Sequence, residues 1–75
     1  MTPKSLLRSF PDADLADIVR DVLAWQSGAT LSDGAALRTL VSTLEREFDF
    51  HGDESVFQVA EALVLAEAAR RFANA

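Results

Sequence analysis

Apolar and polar positions alternate with a helical period along most of this chain. From residue 13 to residue 26 the apolar side chains recur at intervals of three and four, which places them on one helix face. The members of this face are Leu15, Ile18, Val19, Val22 and Leu23. Ser27-Gly28 follows as a stop signal, because glycine adopts the left-handed C-cap conformation without strain.

The segment from residue 33 to residue 48 has the cleanest amphipathic pattern in the sequence. Its apolar positions are Leu37, Leu40, Val41, Leu44 and Phe48. Polar residues cover the remaining sides, as expected of a helix with one face against a core. No run with strand-like alternation exceeds four residues. The pattern therefore predicts an all-α fold.

Helix starts are marked by residues whose side chains accept hydrogen bonds from free backbone N–H groups. Thr2-Pro3 predicts a short helix over residues 3–9, because proline suits the first helical position. The predicted N-caps of the three longer helices are Asp12, then Ser32 or Asp33, then Asp53 or Ser55.

The last segment, residues 54–73, is apolar on almost every side, which a helix needs only when it lies between neighbours. One stripe, centred on Leu63 with Val56, Val59, Ala60 and Ala66, is predicted to face the core. Phe57 and Val64 lie about 100° away and suit a second neighbouring helix. Leu65 and Phe72 project toward the polar side, and this simple bundle does not explain them.

These segments predict one domain, residues 1–75, built as a small three-helix bundle with a short additional N-terminal helix. The predicted helices are residues 3–9, 13–26, 33–48 and 54–73. So short a chain buries a small core, and its net stability is expected to be about 3–5 kcal/mol.

Charge and composition narrow the class of protein. Twelve Asp and Glu residues against seven Lys and Arg leave a net charge of −5, which disfavours nucleic-acid partners. There is no cysteine to form disulfides. The longest apolar run, residues 62–66, is far below the ~20 residues of a membrane span, and the N-terminus lacks the apolar region of a signal peptide. We therefore expect a cytoplasmic protein with neither a nucleic-acid nor a membrane partner.

The densest polar cluster surrounds the single histidine, His51, in residues 49–54. A calcium loop counted from Asp49 needs glycine at its sixth and glutamate at its twelfth position, where this chain has Glu54 and Ala60. Zinc needs three or four fixed ligands. No glycine-rich phosphate loop follows a strand, and no serine can be paired with the histidine. We therefore expect no metal, no cofactor and no catalytic residue, and a protein that is not an enzyme.

The favoured function is a non-enzymatic protein–protein interaction module, such as a regulatory, adaptor or docking subunit. It would use the outer side of the last helix, with Arg70 and Arg71 at the rim. The predicted partner-binding residues are Leu65, Phe72, Glu61, Ala68 and Ala69. Another protein of unknown identity would be the partner, and a homodimer through the same helix is a close variant.

An acidic ridge on the first long helix supports an alternative. Asp14, Asp17 and Asp21 recur at helical spacing, with Trp25 at their edge. These four residues would bind a cationic surface, as in an immunity protein or a phage-encoded antagonist that inhibits a basic enzyme. A structural interpretation is also open, in which the acids are a solvated face and Trp25 closes one end of the core.

The stretch from Asp33-Gly34 to Phe48 resembles the second helix of acyl carrier proteins. That family opens this helix with Asp-Ser and ends it, fourteen residues after the serine, with Leu-Glu-Glu-Glu-Phe; here Leu44-Glu45-Arg46-Glu47-Phe48 stands in that place. Gly34 replaces the serine that carries phosphopantetheine. The resemblance therefore implies an acyl-carrier-like fold without the prosthetic group.

Overall fold

The computed structural model describes residues 2–48 and 55–73, and these residues form four helices and no strand. The helices are α1 (Pro3–Arg8), α2 (Asp12–Gln26), α3 (Ala36–Glu47) and α4 (Val56–Phe72). The prediction of an all-α bundle with a short N-terminal helix is confirmed.

A reciprocal capping box starts α1. The Thr2 hydroxyl accepts from the Ser5 N–H at 3.1 Å, and the Ser5 hydroxyl accepts from the Thr2 N–H at 2.9 Å. Pro3 occupies the first helical turn, where its missing N–H would have had no partner. Two hydrogen bonds thus offset part of the entropy needed to order a six-residue helix.

For α2, the predicted N-cap is wrong and the predicted stop signal is confirmed. The prediction of Asp12 as N-cap is wrong: Pro11 holds that position, and Asp12 is the first residue of the helix. The predicted stop at Ser27-Gly28 is confirmed, since Gly28 adopts φ +94° and its N–H donates to the Trp25 carbonyl at 3.0 Å. Left-handed backbone of this kind favours glycine.

The start of α3 corrects a second capping prediction. The helix begins at Ala36 with Ala35 at the N-cap position, so neither Ser32 nor Asp33 caps it. Instead the Leu37 N–H donates to a carboxylate oxygen of Asp21, on α2, at 3.0 Å. A residue from another helix therefore satisfies one of the free N–H groups of α3. Ser55 holds the predicted N-cap position of α4, but its side chain makes no capping hydrogen bond.

The core combines residues from all four helices. Its buried members are Leu7, Leu15, Ile18, Val22, Leu37, Leu40, Val41, Leu44, Ala60 and Val64. Leu23 was predicted to belong here, but it is 56% exposed. The predicted core stripe of α4 is confirmed only at Ala60, which is fully buried. Val56, Val59 and Leu63 are half-buried and Ala66 is exposed, whereas Val64, from the second predicted stripe, is fully buried.

Helix α4 packs against all three other helices, which explains why its sequence is apolar nearly all round. It runs antiparallel to α2. Arg71, at the end of α4, pairs with Asp12 at the start of α2 at 2.9 Å. At the other end, the Gln26 side-chain amide donates to Glu61 at 2.8 Å. Helix α1 packs mainly on α4.

Candidate binding surfaces

The two most exposed large hydrophobic side chains of the described residues are Leu23 on α2 and Phe72 on α4, at 56% and 46% exposure. Leu23 follows Asp12 by eleven residues, about three turns, so the two lie within about 20° on α2. Asp12 reaches across to Arg71 of α4. Leu23 therefore lies on the side of α2 that borders α4.

The same argument places Phe72 on the side of α4 that borders α2. Phe72 follows Glu61 by eleven residues, and Glu61 accepts the hydrogen bond from Gln26 of α2. Leu65 lies about 20° from Phe72 on the helical wheel, one heptad earlier. We call this surface, formed by Leu23, Leu65 and Phe72, the α2/α4 seam.

The predicted α4 residues are not equally available. Phe72 and Ala69 are exposed, whereas Ala68 and Glu61 are half-buried. Leu65 was expected to face water, but it is half-buried and packs against the core. Substitution of Leu65 would therefore disturb folding as well as any contact with a partner.

Trp25 performs a structural task at one end of the bundle. Its ring packs on Phe57 of α4, with 5.6 Å between the ring centres and 30° between the planes. Both rings are half-buried against the core. This favours the interpretation of Trp25 as the residue that closes one end of the core, since its ring already has a partner in the monomer.

A buried carboxylate lies at the opposite end. Glu67 of α4 is 6% exposed and is the only buried charged or polar residue in the described part of the chain. Arg70 donates to both of its oxygens, at 3.1 and 2.6 Å. Arg71 donates to Oε2 at 2.6 Å. The carboxylate is therefore fully engaged by charge-assisted hydrogen bonds.

These contacts shift the ionisation of Glu67. The hydrogen bond from Arg70, followed by that from Arg71, lowers its pKa from 4.5 to about 2, although burial acts in the opposite direction. The same contacts raise the pKa of Arg70 and of Arg71. Three charges are thus fixed in the folded protein throughout the neutral range.

Arg71 joins three helices. Besides Glu67, it binds Asp12 of α2 and donates from Nη2 to the carbonyl oxygens of Leu7 and Arg8, each at 3.1 Å. Those carbonyls belong to the last turn of α1, and that of Leu7 also accepts from the Phe10 N–H at 3.3 Å. The prediction of Arg71 at the rim of a binding surface is wrong, since its side chain is only 11% exposed.

Glu67 is not among the residues predicted from the sequence, although the chain carries a signal for it. Glu67 precedes Arg70 by three residues and Arg71 by four, the spacings at which opposite charges meet on a helix. It also follows Val64 by three residues, which places it beside the buried stripe. Both features together indicate a charge drawn toward the core.

The acidic ridge on α2 divides into two parts. Asp21 is half-buried and caps α3. Asp14 and Asp17 are exposed, and Arg20 forms only a solvent-exposed pair with Asp17 at 3.7 Å. The alternative binding hypothesis therefore rests on Asp14 and Asp17, because Asp21 and Trp25 both have structural partners.

Asp14 and Asp17 border an open groove of about 300 Å³ between α1, α2 and α3. Its floor includes the buried side chains of Ile18 and Leu40, and the half-buried ring of Phe10 forms a wall. Two carboxylates thus stand beside an apolar surface. A smaller space of about 210 Å³ lies between α1 and α4. Three cations, the engaged Glu67 and three apolar side chains border it, namely Lys4, Arg8, Arg70, Glu67, Leu7, Leu63 and Ala66.

Neither a metal centre nor a membrane span is found in the described ranges 2–48 and 55–73. No cluster of His, Cys, Asp or Glu within them could hold a metal ion. None of their helices is both long and apolar enough to cross a membrane. His51, its neighbouring carboxylates and the predicted cap Asp53 lie outside the described residues.

Comparison of the chain with models of known protein families, with curated proteins and with solved structures found no match. The likeness to acyl carrier proteins stays an interpretation of the sequence. Gly34, at the position of the family's serine, lies exposed in the turn before α3. A Cβ atom added at Gly34 would meet no atom within 4 Å.

Proposed function

We propose that this protein is a non-enzymatic protein–protein interaction module that docks through the α2/α4 seam. The partner would lay an apolar helical surface along the junction between the two antiparallel helices. Phe72 and Ala69 are retained from the residues predicted by the sequence, and Leu23 is added to them. Leu65, which is half-buried, would lie beneath the partner and contact it only in part.

The observation that carries the proposal is the position of the two most exposed large hydrophobic side chains on one face. Leu23 and Phe72 border the same α2–α4 junction at opposite ends, with Leu65 between them. Single exposed apolar residues are ordinary, but an apolar surface that continues across two helices is typical of interaction sites. Charged residues are depleted at the centres of such interfaces.

The test compares capture of partners from the protein's own cells by the wild type and by two variants, Leu23→Glu and Phe72→Glu. Both side chains are exposed, so a glutamate at either position should leave the fold intact. We expect each variant to lose the captured partner, because a carboxylate would have to be buried at the centre of the interface.

Two further variants serve as controls. Ser42→Glu adds the same charge at an exposed position of α3, and Asp17→Lys alters the acidic side. The proposal requires both controls to retain the partner that Leu23→Glu and Phe72→Glu lose. Retention of every captured partner by Leu23→Glu, together with loss in Asp17→Lys, would reject the seam and favour the acidic-inhibitor alternative.

A second copy of the chain is the other occupant considered for the seam. Self-association would bury the exposed side chains of Leu23 and Phe72 in both copies, and this burial would stabilise a protein with a small core. The mass in solution, measured at several protein concentrations for the wild type and Phe72→Glu, decides this point. A concentration-dependent dimer that Phe72→Glu abolishes would identify the homodimer, and a monomer throughout would assign the seam to a different protein.

A further inference from the structure

We propose that the groove between α1, α2 and α3 is a second docking site, which takes a basic amphipathic helical segment of another protein. The segment would insert one large apolar side chain between Phe10 and Leu40. Two Lys or Arg side chains of the same segment would pair with Asp14 and Asp17. This site is separate from the α2/α4 seam and does not depend on it.

The groove exists because α1 makes only weak contact with α3. Helix α1 packs mainly on α4, where Arg71 binds the carbonyls of its last turn. The space above Ile18 of α2 is therefore left open between α1 and α3. Apolar side chains line it, so water in the groove is a poor substitute for an apolar occupant.

The polar groups at the groove can only accept hydrogen bonds from an occupant. Asp14 has no ion pair with a described residue, and Asp17 has one exposed pair with Arg20. The hydroxyl hydrogens of Thr39 and Thr43, on the α3 side, are donated to the Ala35 and Thr39 carbonyls at 3.3 and 3.0 Å. Charge and hydrogen bonding thus both select a cationic donor.

The size of the groove favours a side chain presented by a partner helix as its occupant, and disfavours a free small molecule. A volume of about 300 Å³ is at the lower limit of small-molecule sites, which span about 300–1,000 Å³. It suits one anchoring side chain. Asp14 and Asp17 are three residues apart on α2, which separates their Cβ atoms by about 5–6 Å. Basic residues three or four apart on a partner helix have the same spacing.

The experiment uses the full-length protein and three synthetic helical peptides. The first carries leucine as the anchor with arginines three and seven residues after it, so that the two arginines are four residues apart. The second replaces both arginines with glutamate, and the third replaces the leucine with alanine. Binding is followed by amide chemical shifts of the labelled protein. We expect the first peptide to shift residues of the groove, and each of the others to bind at least tenfold more weakly.

Protein variants separate the groove from general charge attraction. Asp14→Lys with Asp17→Lys should abolish binding of the first peptide. Glu45→Lys with Glu47→Lys changes the net charge equally at exposed positions of α3 and should bind within threefold of the wild type. Thr39→Phe fills the groove without a change of charge and should also abolish binding.

Three outcomes would overturn the proposal: no detectable binding of the first peptide, equal weakening by both charge-reversal pairs, or shifts that map to residues outside the groove. Circular dichroism of each variant confirms that it is folded. Leu23→Glu should bind the first peptide like the wild type, so failure at the groove and failure at the seam are distinguishable.

Discussion

Glu67 shows how one residue can be both costly to bury and necessary to the fold. A carboxylate in a core loses its hydration, and this loss is offset here by hydrogen bonds from Arg70 and Arg71. Removal of the carboxylate would leave two arginines without their shared partner, one of them almost buried. Removing one partner of a buried ion pair lowers the free energy of unfolding more than replacing the whole pair with apolar residues of similar volume.

The lowered pKa of Glu67 predicts an acid-sensitive contribution to stability. Its folded pKa of about 2 lies below the ordinary 4.5, so its contribution is fully present above about pH 4.5 and is lost as the pH falls toward 2. Urea unfolding of the wild type and of Glu67→Gln across this range measures the difference. We expect the wild type to be the more stable at pH 7 and the gap to narrow progressively below pH 4.5. A gap that stays constant between pH 7 and pH 3 would contradict this assignment.

At the scale of the element, α1 is too short to be stable in isolation, because six residues form few of the hydrogen bonds that offset helix nucleation. Its last-turn carbonyls are held by Arg71, and Leu7 is buried in the shared core. The position of α1, and with it the open groove, therefore depends on a residue 63 positions further along the chain.

We expect Arg71→Ala to release α1 while most of the bundle remains folded. The variant loses the contacts to Glu67, Asp12, Leu7 and Arg8 together, and two of these four residues, Leu7 and Arg8, belong to α1. The amide hydrogens of α1 should therefore exchange faster than those of α2. Hydrogen exchange followed by NMR measures this difference. Arg46→Ala, which removes only an exposed pair with Glu47, is the matched control and should leave α1 protection unchanged.

Helix α3 depends on Asp21 in a similar way. The carboxylate satisfies the Leu37 N–H in place of a local capping residue. Asp21→Ala should cost about 1 kcal/mol of unfolding free energy, the usual effect of losing a cap, whereas Asp21→Asn keeps an acceptor and should cost less. Urea denaturation measures both variants, with the exposed Asp33→Ala as control. Equal stability of Asp21→Ala and Asp33→Ala would show that the contact contributes nothing.

At the scale of the whole molecule, the small core leaves little margin. Leu44 is fully buried, so Leu44→Ala should cost about 2–5 kcal/mol, a large fraction of the about 3–5 kcal/mol expected for so short a chain. Leu23→Ala removes the same atoms from an exposed position and should change stability by less than about 0.5 kcal/mol. Comparison of their denaturant midpoints tests the assignment of Leu23 to the surface.

Local patterns were sufficient for much of the fold. The threefold and fourfold spacing of apolar residues predicted the helical class, and Gly28 marked the end of α2 because a left-handed C-cap favours glycine. The capping box of Thr2 and Ser5 acts within one turn, so it too is local. Predictions failed where a residue distant in sequence satisfied a backbone group. Asp33 was one of two predicted caps of α3, but the carboxylate of Asp21 accepts the hydrogen bond from the Leu37 N–H.

The candidate sites were predictable only in part. The sequence identified Phe72 and the acids Asp14 and Asp17, because their exposure follows from helical position. The sequence did not distinguish the exposed Leu23 from the core residues of α2. A helical wheel shows on which side of a helix a residue lies, but not whether a neighbouring helix covers that residue. Nor could it join Leu23 to Phe72, which requires the antiparallel register of α2 and α4.

The sequence by itself determined that the chain is helical and acidic, and that its last helix needs neighbours on several sides, because these properties follow from spacing and composition. The tertiary structure decided which neighbours those are. In it, α4 packs against the other three helices, and the side chains of Glu67 and Arg71 are largely removed from solvent. The α2/α4 seam and the groove between α1, α2 and α3 remain exposed. The physical reason is that burial and hydrogen-bond partners are set by contacts between distant segments, which no local period encodes.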